Sequence, residues 1–133
     1  MATVERFQEL RIWQEGIEIF KCVYELTRAN GFSLDLRLRD QIRASAGSIP
    51  DNIAEGFERS GRAEFIQSLF IAKGETGELR SQLVRCREVG LIPLSEANQL
   101  ILQVEKLAKS IHTFGNYLKK SEIKGLKFKD RLP

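Results

Sequence analysis

An all-α chain folded as an antiparallel up-down-up-down four-helix bundle is what the sequence predicts, on three observations. Apolar residues recur at spacings of three and four along four long stretches, and no stretch alternates with the two-residue period of a strand. Short turn signals separate the stretches: Asn30-Gly31, Ser60-Gly61, and Gly90 with Pro93. Short connections between long helices force neighbours to run antiparallel. A length of 133 residues with 42% apolar and 29% charged side chains suits one globular domain. Residues 1–118 are assigned to the bundle and 119–133 to a basic C-terminal tail.

In the first helix Leu10, Trp13, Ile17, Phe20, Tyr24 and Thr27 form the expected core seam, with Ile12, Ile19, Val23 and Leu26 as a flanking stripe. Ser33 and Asp35 are placed to cap the second helix, expected from about Leu34 to Phe57 with Leu38, Ile42, Ala46, Ile49, Ile53 and Phe57 inward. The third has the cleanest pattern: Phe65, Leu69, Ala72, Thr76, Leu79, Leu83 and Cys86. Ser95 with Glu96 opens the fourth, whose stripe is Ala97, Ile101, Val104, Ala108, Ile111 and Leu118.

Pro50 interrupts the second helix, where a missing N–H leaves the carbonyl of Ala46 unpartnered. Ser45 and Ser48 are near enough to offer hydroxyls, and a kink is the usual outcome. A reversal around Ser60 and Gly61 places residues summing to about 121 opposite one another. Gly47 then faces Gly74, Ala44 faces Gly77, and Arg43 faces Glu78 as an inter-helix ion pair. The glycines are read as packing choices that bring the second and third helices close.

Chemistry finds little support. Carboxylate-bridged metal bundles need Glu-x-x-His pairs, whereas the single histidine, His112, follows Lys109 at that spacing. No nucleophile elbow, Walker loop or dinucleotide loop is present. The expectation is a non-enzyme without metal or cofactor. The longest apolar run is too short to span a bilayer, and the acidic, polar start does not suit a signal peptide, so the expected location is cytoplasmic, away from membranes. Cys22 and Cys86 are expected as reduced thiols packed as small hydrophobes.

Charge is unevenly spread. The last fifteen residues carry six Lys/Arg against Glu122 and Asp130, net +4, leaving 15 basic and 16 acidic residues, net −1, for the rest. Lys119, Lys120, Lys124, Lys127, Lys129 and Arg131 are therefore the candidate phosphate contacts, with Phe128 placed to stack on a base. Solvation of a charged chain end is the plainer account of the same residues.

The segments FQELRIWQ, DQIRASAGSIPDNIAEGFERSGRAEF and IAKGETGEL resemble the bacterial four-helix-bundle proteins encoded in intervening sequences of 23S rRNA genes. Relatives often carry serine or alanine where this chain has Glu75. Distant relatives are the accessory variability determinants of diversity-generating retroelements, pentameric barrels that bind a reverse transcriptase and nucleic acid. The resemblance implies a cyclic homopentamer, and it marks Arg43, Ser48, Asn52, Glu55, Gly56, Gly74 and Glu78 as motif residues. Asn52 and Glu55 are expected to hydrogen-bond helix ends or a neighbouring subunit, or else to form a binding surface on the barrel rim. RNA or DNA, and a protein partner such as a reverse transcriptase, are the partners it suggests. Apolar surface on the third helix, Ile66, Phe70 and Ile71, is where the subunits are expected to meet. Two functions follow: an oligomeric nucleic-acid-binding accessory protein, or an oligomeric scaffold for a protein partner.

Overall fold

The computed structural model describes residues 3–121, and among them the long elements are four α-helices, with no strand. These are α1 (Arg11–Ala29), α2 (Leu36–Glu58), α3 (Arg62–Glu88) and α4 (Leu94–Lys120). Short 3-10 turns precede α1 and fill the α1–α2 connection at Gly31–Leu34, so α2 starts two residues later than its apolar spacing suggested. α2 packs on α1 and α3, α3 on α4, and α1 more sparsely on α4. None of these helices is long and apolar enough to cross a membrane.

Local chemistry sets the helix ends. The Asp35 carboxylate accepts from the Leu38 backbone N–H at 3.1 Å, capping α2. At the same end of the bundle α3 stops before Gly90, whose φ of +77° suits a residue without a side chain. The Leu91 N–H then turns back to the Cys86 carbonyl at 2.9 Å.

All seven residues of the α3 pattern are buried. In α1 the assignment is reversed over the middle of the helix, whereas Leu10 and Thr27 of the expected seam are buried and Leu26 of the flanking stripe is half-buried. Ile12, Ile19 and Val23, the flanking stripe, are core; Trp13, Ile17 and Phe20 are half-buried, and Tyr24 is 40% exposed. Both stripes are equally apolar, and the one bearing Gly16 turns inward because it lets α2 approach. A β-carbon at Gly16 would lie 3.4 Å from the buried Pro50 ring. This contact accounts for the proline: its ring packs against α1, and α2 continues through it to Glu58. The Ser48 hydroxyl lies 2.9 Å from the Ser45 carbonyl rather than serving Ala46. In α4 the buried set includes Leu100, Leu107 and Phe114 as well as Ala97, Val104, Ile111 and Leu118, while Ile101 and Ala108 are half-buried.

The expected Arg43–Glu78 pair is corrected. Contacting residues on α2 and α3 sum to 123 for Ser48 and Glu75 and 124 for Gly56 and Ser68, a shift of about half a turn from the count made at the loop. Arg43 turns instead to α1, donating from Nε to the Thr27 hydroxyl at 2.8 Å, with its guanidinium 4.1 Å from the centre of the Tyr24 ring. The close approach of the two helices is not made by Gly74 or Gly77 either. A β-carbon at either would meet nothing within 4 Å, whereas one at Gly56 would collide with Ser68.

The cysteines differ in setting. Cys86 is buried in the core and Cys22 half-buried, and both are free thiols. Burial pushes the Cys86 thiol up, with Arg85 opposing and Asp35 adding to the effect. A thiol reagent is expected to modify Cys22 in the native protein at least about tenfold faster than Cys86. Peptide mapping after a timed iodoacetamide pulse reads the ratio; equal rates would contradict the burial of Cys86.

Candidate nucleic-acid interface

The last turn of α4 presents Lys119 and Lys120, which are helical rather than part of an extended tail. Two lysines at a helix C-terminus also complement its dipole, a structural role sufficient in itself. The guanidinium of Arg62, at the start of α3, donates to the Ser121 carbonyl and ties the end of α4 to the α2–α3 turn. Lys124, Lys127, Phe128, Lys129 and Arg131 lie outside the described residues.

From Lys119 a basic strip continues along the groove between α3 and α4. Facing pairs here sum to 185: Phe70 with Gly115, Lys73 with His112, and Arg80 with Glu105. Gly115 matters because a β-carbon there would sit 2.9 Å from the Phe70 ring. The tip of the ring therefore packs against α4, with the Lys119 ammonium 4.6 Å from the ring centre and the His112 ring edge-on at 5.9 Å. Lys73 Nζ stands 3.0 Å from His112 Nδ1. An ammonium only donates, so Nδ1 is the acceptor, and a neutral imidazole carries its proton on Nε2. The Asn116 side-chain amide lies beside Nε2, its Nδ2 3.0 Å away, and an Nε2 proton calls for the amide turned over so that its oxygen accepts.

Lys73, Lys109 and His112 line a cleft of about 490 Å³ on this face, with Arg80 and Glu105 at its far end. Arg80 and Glu105 are 3.4 Å apart and each is more than 40% exposed, a solvent-screened pair. Lys73, Lys109, Lys119 and Lys120 have no carboxylate partner among the described residues. Four lysines without a carboxylate partner on one face suit contacts to phosphates. From the sequence Phe70 was expected at a subunit interface, and neither Lys73 nor Lys109 was marked as a phosphate contact. Counting outward from the turn at Ile92-Pro93 would have brought them together, as would reading His112 with its neighbours instead of alone.

The motif residues do not converge on one site. Ser48 Oγ lies 2.8 Å from Glu75 Oε2, and Asn52 Nδ2 donates to the Ser48 carbonyl at 2.7 Å. Glu55 is exposed, 3.8 Å from Arg59 on the next turn. Gly56 is a packing position, Gly74 faces open space, and Glu78 borders a separate cleft between α2 and α3. Among the described residues no three His, Cys, Asp or Glu side chains converge as a metal site.

Comparison with known proteins supports this architecture. A solved structure from Bacteroides thetaiotaomicron, described as a protein with unknown function from the S23 ribosomal protein family, superposes with a TM-score of 0.68 at 21% identity, covering 75% of this chain and 94% of that one. At that identity the likeness speaks for the fold alone. No curated protein matches the chain. The 23S rRNA-intervening sequence protein family matches residues 8–113, most of the bundle, and the chain belongs to that family.

Proposed function

We propose that this protein is a non-enzymatic, cytoplasmic, oligomeric accessory protein that binds single-stranded RNA or DNA along the α3/α4 groove and the basic residues after it. The observation that carries this reading is the set of lysines without a carboxylate partner, Lys73 and Lys109 in the α3/α4 cleft and Lys119 and Lys120 at the end of α4, with Lys119 over the Phe70 ring. The body's net charge near zero does not oppose it, because attraction to phosphate depends on where the charges gather. Its helices are read as up-down-up-down. Constant sums of contacting positions between α2 and α3 and between α3 and α4 support that order. Assembly as a cyclic homopentamer rests on the family resemblance. Five copies would bring about +20 of tail charge together, enough for multivalent contact even when each tail binds weakly.

Fluorescence anisotropy with a labelled single-stranded oligonucleotide is expected to give binding that weakens steeply with salt. Replacing Lys73 and Lys109 by glutamine removes two phosphate contacts and should flatten the slope of log K against log salt by about 1.4. An unchanged slope would take the groove out of the interface. Light scattering on the same preparations should return five chains per particle, with a monomer mass removing the assembly.

A partner-binding scaffold is the second reading, favoured by one observation. Leu34, Leu36, Val89 and Leu94 are 92%, 51%, 70% and 65% exposed, at the bundle end opposite Ser121. Apolar side chains gathered there suit a protein surface better than a nucleic acid. Absence of oligonucleotide binding at low salt would favour it.

A further inference from the structure

The groove between α3 and α4 changes character along its length. Lys119 and Lys120 end α4, and more basic sequence follows them. About 15 Å back along α4, Lys109 and His112 line the cleft with Lys73 of α3. Farther on, the cations are already engaged. Arg80 lies 3.4 Å from Glu105, and Arg87 donates to Glu88 at 3.2 Å and to Asn98 at 2.7 Å. Glu105, one turn beyond Lys109, puts a carboxylate at that end of the cleft.

Lys73 supplies an independent observation, because its ammonium is held in place. It gives one N–H bond to His112 Nδ1 at 3.0 Å, and its other N–H groups have no partner among the described residues. A lysine already fixed by a neighbour loses less side-chain freedom when it takes a ligand.

We propose that this cleft binds a terminal phosphate, the phosphomonoester at the end of a single strand, with Lys73 and Lys109 as its partners; the inference rests on the groove being the nucleic-acid surface. A backbone phosphodiester carries one negative charge, whereas a monoester carries about −1.5 to −2 near neutral pH and offers three terminal oxygens. Two ammonium groups match that charge. A strand continuing past the cleft would bring a phosphate against the Glu105 carboxylate and would have to break the Arg80 pair to find a cation, whereas a strand that ends in the cleft meets neither cost. A free nucleoside monophosphate offers the same group as the strand end.

The test uses the full chain and one internally labelled single-stranded oligonucleotide, prepared with a 5′-phosphate, a 3′-phosphate, or hydroxyls at both ends. Fluorescence anisotropy should show that a phosphate at one end tightens binding at least about fivefold over the hydroxyl form. Lys73→Gln and Lys109→Gln should each cut that advantage to less than about twofold. Glu105→Gln removes the carboxylate and frees Arg80, so the hydroxyl form should bind more tightly and the advantage should shrink. Uridine 5′-monophosphate titrated alone, with NMR following the His112 ring, separates the two sources. Saturable shifts that Lys109→Gln abolishes would assign the cleft to a small phosphomonoester even where no oligonucleotide binds. Equal affinity for all three oligonucleotides, still weakening with salt, overturns the terminal site and leaves the groove reading standing. An advantage that survives both lysine substitutions also overturns the site, and no binding of any oligonucleotide or of the monophosphate overturns both.

Discussion

Replacing Phe57 by alanine is expected to cost about 3–5 kcal/mol of folding free energy. Phe57 has no exposed surface, and its ring meets Phe65 edge-on at 5.8 Å and 85°, while Phe65 meets Phe114 in the same way at 5.6 Å and 84°. The three rings come from α2, α3 and α4, so the contact joins three helices beside the α2–α3 turn. Alanine there loses the transfer energy of a benzyl group and leaves a cavity that rigid helices close only in part. Total stability for a domain of this size is about 5–15 kcal/mol, so the loss is a large fraction of it. Urea unfolding followed by circular dichroism reads the change, and Phe57→Leu, which keeps most of the volume, should cost well under half as much. A cost below about 1 kcal/mol for Phe57→Ala would mean that the rings are not packed as described.

The smallest substitution in the motif should also be expensive. Gly56→Ala adds one methyl group and improves helix propensity by about 1 kcal/mol. A β-carbon at this position runs into Ser68 Cβ and Oγ and comes within 3.2 Å of the Phe65 ring. Because Ser68 Cβ is fixed to its backbone, rotating a side chain gives no relief, and α2 and α3 must separate. The net effect expected is a loss of about 1–3 kcal/mol despite the better propensity. Combining Gly56→Ala with Ser68→Gly clears the collision and should recover part of the loss beyond what adding the single effects predicts. A neutral or stabilising Gly56→Ala would show that this crossing is looser than the structure has it.

These two residues show how much was legible. Phe57 falls on the apolar face of a periodic run, and that face could be read directly. Gly56 stands out only as a motif residue, and its packing role is hidden because it lies in what faces it on α3. The basic groove was missed for a related reason. Its lysines are scattered over α3 and α4 among carboxylates, and only the pairing of Lys73 with His112 and of Phe70 with Gly115 makes a strip of them. Arg43 was sent to the wrong helix because a count made at a loop drifts: a shift of two or three residues is half a turn or more, enough to change the face presented.

What the sequence determined by itself was the all-α class, the four helices, their turns and the buried face of α3 apart from Ser68 and Gln82, since each rests on local periodicity and on residues that cap or break helices. Tertiary structure alone decided which stripe of α1 faces inward, what the proline is for, and which polar groups meet. Two equally apolar stripes have the same local energy, so the choice between them falls to the partner surface. Where Gly16 admits the Pro50 ring, the helices come together.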